Sequence, residues 1–135
     1  MNKTKIWLIG LLAIFSMVTH TVFAQKDINQ QVANAITSNN AKDLASFFAT
    51  TVNLTIPGVD GTYSKSQAEM LLKDFFIHHK TVTFKISHSG ESREGARYSV
   101  GKITTSNKKF NVYFLMKDVN NQSHIIQFQV EETAK

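Results

Sequence analysis

Ser64-Lys65-Ser66-Gln67-Ala68-Glu69-Met70-Leu71-Leu72-Lys73-Asp74-Phe75-Phe76-Ile77-His78 is the stretch that decides how the rest of the chain is read. Ser64 and Gln67 stand three apart, the spacing of a capping box, in which each side chain satisfies the other's orphan backbone N–H at a helix start. Ala68, Leu71, Leu72, Phe75 and Phe76 then recur at helical spacing and form one broad apolar face. The pattern predicts a helix from Ser64 to about His78 with one side to bury.

Downstream of it the period changes from helical to alternating. Val82, Phe84, Ile86 and His88 face one way, and Tyr98 and Val100 alternate with Arg97, Ser99 and Gly101. Phe110, Val112, Phe114 and Met116 make a third row, and His124, Ile126, Phe128 and Val130 a fourth. Ser106-Asn107-Lys108 and the Asp118–Gln122 segment join neighbours, and short links force consecutive strands to run antiparallel. Upstream, Asp27 caps a helix carrying Ile28, Val32, Ala35 and Ile36. Asn40 caps a second, short one with Leu44, Phe47 and Phe48 as its buried stripe. Val52, Leu54 and Ile56 then alternate with threonines and an asparagine, Pro57-Gly58 ends that strand, and Gly58-Val59-Asp60-Gly61 reads as a loop. Helices first and strands later, with no repeat and a single proline, describe one α+β domain.

The first two dozen residues stand apart from that domain. Lys3 and Lys5 precede an apolar run from Ile6 to Val18, and Val22-Phe23-Ala24 offers a cleavage site after Ala24. Residues 1–24 read as a signal peptide and 25–135 as the single mature domain. An uncleaved anchor would need roughly 20 apolar residues, and His20 and the threonines interrupt the run. The chain has no cysteine, so a lipid-anchored cysteine is excluded. A disulfide-free secreted domain suits the periplasm or exterior of a Gram-negative bacterium. The charge of +5 falls to +3 once Lys3 and Lys5 leave. It is scattered, which argues against nucleic acid.

Leu54-Thr55-Ile56-Pro57-Gly58 leading into Gly61-Thr62-Tyr63-Ser64-Lys65-Ser66-Gln67-Ala68-Glu69, in this element order, resembles the nuclear transport factor 2-like superfamily. The stretches Gly61–Phe76 and Gly95–Gly101 look like one group within it, short secreted Gram-negative proteins known only as a domain of unknown function. The resemblance covers the mature chain and implies a cone: helices packed on a curved antiparallel sheet, with a pocket at the wide end. It implies no activity. In the superfamily's ketosteroid isomerases the general base is an aspartate immediately before a proline at the end of the first strand. The matching residue here is Ile56, which cannot take a proton. The isomerases' oxyanion partners, a tyrosine on the first helix and an acid on a late strand, find no clear match either.

Within that cone the expected ligand pocket is lined by Phe48, Tyr63, Phe76, Tyr98 and Phe114, with His88 and His124 at its rim. A tyrosine suits a pocket mouth because its hydroxyl needs a partner or water. Either histidine near a carboxylate could act as a base near neutral pH, but spacing places no carboxylate beside them. Asp74 and His78 share a helix face and could ligate a metal. No third ligand is placed, so histidines complementing the helix C-terminus are the simpler account. Tyr113, Leu115 and Ile125 face the other way and could form a dimer patch. No serine or cysteine nucleophile, phosphate loop, metal or cofactor is indicated. The expectation is an exported, non-catalytic binding or scaffold domain. It would hold a small apolar ligand in the cone or a protein partner, a second copy included, on the sheet. The alternative is a hydrolase or isomerase of a small hydrophobic substrate with a pocket histidine as base.

Overall fold

A computed structural model describes residues 27–92 and 94–134; the expected signal peptide lies outside them. Asp27 caps α1 (Ile28–Thr37) by accepting from the Asn29 N–H, and Val32, Ala35 and Ile36 form its buried stripe. Asn39, at φ 55°, turns the chain. Its side chain then clamps Thr81, accepting from the Thr81 N–H at 2.7 Å and donating to the Thr81 carbonyl at 3.1 Å. Asn40 caps α2 (Ala41–Ser46). Phe47 is the C-cap of α2, and Phe48 opens β1 (Phe48–Ile56) rather than extending the helix stripe.

Pro57-Gly58 does not simply end β1. Gly58, at φ +82°, follows the proline as a type II turn requires. The chain comes straight back as β2 (Val59–Ser64), pairing from Ile56↔Val59 to Thr51↔Ser64. The segment expected to be a loop is therefore an edge strand, because a two-residue turn leaves Val59, Gly61 and Tyr63 opposite Ile56, Leu54 and Val52. Ser64 then caps α3 (Lys65–His78) with both capping-box bonds present. Ala68, Leu72, Phe75 and Phe76 are its buried residues.

The remaining strands are β3 (Thr83–Glu91), β4 (Arg97–Thr104), β5 (Lys109–Val119) and β6 (Gln122–Glu132). Asn120 and Asn121, both at positive φ, form the tight turn between the last two, the backbone pattern of a type I′ hairpin. The sheet order is β2-β1-β6-β5-β4-β3. The four late strands are antiparallel to one another, whereas β1 lies parallel to β6 at the joint. α3 packs on β1, β2 and α2, and α1 packs on β3 and α2. The helices thus cover one face, here called inner. Between them and the sheet lies a single apolar core containing Phe48, Leu54, Leu72, Phe114 and Phe128. Each such side chain contributes roughly 1.5–3 kcal/mol by leaving water.

Two bulges decide which side chains face inward. Between Ile86 and His88 the β3 register slips by one residue, so Ile86 stays opposite Gly101 while His88 sits opposite Val100. In β6 a second slip sets Ile125 against Met116 and Gln127 against Leu115. One extra residue reverses the facing of everything beyond it.

Candidate functional site

The seven residues expected to line a pocket do not converge. Phe48 and Phe114 are 0% exposed and Phe76 5%. Phe128 packs against both Phe48 and Phe114, with ring centroids at 5.8 and 6.2 Å. These buried rings belong to the apolar core between helices and sheet. Tyr63 is half-buried on the inner side of the edge strand β2, its ring beside Gly61. His88, Tyr98 and His124 lie on the opposite, outer face of the sheet.

Each displacement has a cause in register. β4 turns Ser99, Gly101 and Ile103 inward, not Tyr98 and Val100. At Gly101 the inner face has no room for a side chain, since a Cβ there would sit 2.8 Å from the Phe84 ring and 2.7 Å from the Lys85 carbonyl oxygen. Ser99 is fully buried, yet its hydroxyl donates to Asn29 Oδ1 at 2.9 Å and lies 2.9 Å from the Ser89 hydroxyl. Asn29 in turn donates to Ser89 at 3.3 Å, closing a ring that satisfies all three groups. The β3 bulge carries His88 outward. The β6 bulge turns Ile125 into the core, fully buried, and places His124 on the outer side opposite Lys117. Ile125 therefore contributes nothing to an outer patch, contrary to expectation. His124 Nδ1 is enclosed without a hydrogen-bond partner among the described residues.

What the outer face does assemble is a band of uncharged side chains. One cross-strand row runs Thr62, Asn53, Gln127, Leu115, Tyr98 and Gly90. Beside it runs Thr55, Gln129, Tyr113, Val100 and His88, with Asp60 at the β2 end. Tyr98 leans over Gly90, where a Cβ would fall 2.7 Å from its hydroxyl oxygen. That hydroxyl meets His88 Nε2 at 3.0 Å, and the Tyr98 ring stacks with Tyr113 at 6.3 Å and 23°. Charged residues border the band: Glu131 on β6, Lys102 on β4 and Lys85 on β3. The part of Val100, Gln127, Gln129 and Gly90 in this face was missed in the sequence. The available signal was the glycine-serine alternation of β4, which leaves the aromatic set outside.

At the C-terminal end of α3, His78 Nδ1 lies 2.9 Å from the Asp74 carbonyl oxygen and 3.5 Å from Asp74 Oδ1. His79 packs between Phe75 and Phe110 at 5.0 and 5.1 Å. Burial, then the charge of Lys108 and then His78, hold its pKa below the ordinary value, against an opposing pull from Glu132. No group of three His, Asp or Glu residues among the described residues is placed to hold a metal ion. No helix among them is long and apolar enough to cross a membrane.

Residues 29–131 match the model of a family described as a domain of unknown function, DUF4783. The chain belongs to the DUF4783 family. Two solved members are similar along most of their length. One, from Bacteroides uniformis, is 26% identical over 81% of this chain and 100% of that one, with a TM-score of 0.74. The other, from Bacteroides ovatus, is 26% identical over 78% and 94%, with a TM-score of 0.71. A Kribbella flavida protein assigned as a ketosteroid isomerase shares the fold at 6% identity, covering 80% of this chain and 76% of that one with a TM-score of 0.56. No curated protein sequence matches significantly. This DUF4783 chain thus has the nuclear transport factor 2-like fold, an α+β cone with its phenylalanines packed in the core.

Proposed function

We propose that this protein is an exported, non-catalytic binding or scaffold domain that works through the outer face of its sheet, with a second copy of itself as the first partner. The observation that carries this reading is the uncharged band centred on Tyr98, Tyr113 and Leu115. Depletion of charge and enrichment in tyrosine mark the centre of protein interfaces. Six strands at about 4.8 Å spacing and some 30 Å long make a whole face of about 860 Å², of the order of the roughly 800 Å² per partner of a standard interface, with the uncharged band as its centre. The border charges are unevenly spread: Asp60 and Glu131 lie on the β2–β1–β6 half, and Lys117, Lys102 and Lys85 on the β5–β4–β3 half. Removal of residues 1–24 and a periplasmic or extracellular location in a Gram-negative bacterium belong to the same proposal, supported by the leader-like sequence and the Bacteroides relatives.

A small apolar ligand held inside the cone has little support, because the phenylalanine rings meant to line its site are buried in the core. The alternative of a hydrolase or isomerase has one observation in its favour, the His88–Tyr98 hydrogen bond. That pair sits on an exposed strand face, and the cleft of about 230 Å³ that Tyr98 borders is lined by Asn29, Ser89 and Gly90 rather than by His88. Among the described residues no carboxylate orients the imidazole as a base. Sedimentation velocity over a concentration series tests the proposal. Wild-type protein is expected to form dimers, and Tyr113→Lys to sediment as a folded monomer. A monomeric wild type, or a dimer indifferent to Tyr113→Lys, refutes the use of this face for self-association.

A further inference from the structure

A second candidate surface lies at the C-terminal end of α3 and is independent of the sheet's outer face. The Pro57-Gly58 turn, the start of β2 and the last turns of α3 enclose a cleft of about 440 Å³, within the roughly 300–1,000 Å³ of small-molecule sites. Its apolar lining is Ile56, Pro57 and Val59 from the β1–β2 hairpin and Leu71 and Phe75 from α3. Three polar residues share the lining: Asp74, His78 and His79.

Their charges are unequal. Asp74 is an exposed carboxylate whose ion-pair partner is His78, and the same His78 nitrogen also faces the Asp74 main-chain oxygen. No lysine or arginine lines the cleft. Lys108, which acts on His79 from outside the lining, is itself paired with Glu132 at 3.3 Å. His79 is disfavoured from protonating by its burial between two phenylalanines. The last turn of a helix also carries the negative end of its dipole, which favours cations. The cleft therefore combines an apolar trough with one fixed negative charge at its edge.

We propose that this cleft binds small hydrophobic amines, the apolar body lying against Leu71 and Phe75 of α3 and Pro57 and Val59 of the hairpin, and the ammonium group meeting the Asp74 carboxylate. Asp74 is exposed and screened by solvent, so its pairing with the ammonium is worth about a two- to fivefold difference in affinity over a neutral counterpart.

The test is an amide-shift titration of the purified protein with 2-phenylethylamine, alongside its neutral and acidic counterparts 2-phenylethanol and phenylacetate. The amine is expected to shift Leu71, Asp74, Phe75 and His79 and to bind about two- to fivefold more tightly than either counterpart. Asp74→Asn, an exposed substitution checked by an otherwise unchanged spectrum, is expected to erase that preference. Equal binding of the three probes, shifts confined to other residues, or an Asp74→Asn variant with unaltered amine affinity would each overturn the proposal.

Discussion

Replacing Gly101 by alanine tests the register that turns Tyr98 outward. The new methyl would lie 2.7 Å from the Lys85 carbonyl oxygen and 2.8 Å from the Phe84 ring, against about 3.5–4.0 Å for an ordinary carbon contact. Something must yield by about 1 Å. The near atom on β3 is backbone, and Phe84 is itself buried in the core. Overpacking of this kind costs about 1–3 kcal/mol, offset by about 0.5–1 kcal/mol because alanine restricts the unfolded chain more than glycine does. The net loss, about 1 kcal/mol at the centre of these ranges and at most about 2.5, lowers the midpoint of thermal unfolding by about 4–8 °C per kcal/mol in a domain of this size. Gly90→Ala is the control. Its methyl meets the far end of Tyr98, which can swing into solvent. The expected cost is below about 1 kcal/mol, one exposed hydrogen bond to His88, with a visible change in the His88 and Tyr113 ring resonances. Calorimetry on both variants decides the matter. A Gly101→Ala protein melting within about 2 °C of wild type means that no ring packs there, and the assignment of inner and outer faces fails.

Two further outcomes follow from local chemistry. Because the His79 pKa is depressed in the folded protein, the unfolded chain takes up that proton first as pH falls below about 6.5. Stability is therefore lost from there down to the lower folded-state value and changes no further below it. Urea midpoints at about pH 8 and about pH 5 should differ less in His79→Gln than in wild type, and an equal drop in both would refute this. Ser64→Ala removes the oxygen that accepts the Gln67 N–H and should cost about 1 kcal/mol in urea unfolding; no change would mean that the cap does not anchor α3.

The elements legible in the sequence were those whose signal is local. The Ser64–Gln67 box and the Phe75-Phe76 face specify α3 without reference to any other segment, and Asp27 and Asn40 cap the helices they were expected to cap. What escaped depended on pairing between distant strands. Asp60 and Gly61 carry turn chemistry, which masked a hairpin closed in two residues by Pro57-Gly58. Ser99 and Gly101 look like a solvent-facing row until Asn29 from α1 satisfies the serine and Phe84 from β3 occupies the space above the glycine. His88, His124 and Ile125 were misplaced by bulges, which a strict alternation cannot show. The candidate site changed faces for that reason. Tyr98 moved from the pocket to the outer band, beside Tyr113 and Leu115.

The outer face as the place of self-association is open to one direct measurement, isotope-filtered nuclear Overhauser spectroscopy on a mixture of labelled and unlabelled copies. Contacts between Leu115 methyl groups of one copy and Tyr98 or Tyr113 ring protons of the other are the predicted result. A dimer whose intermolecular contacts arise from the helices instead, or a protein that stays monomeric in the same sample, would contradict it.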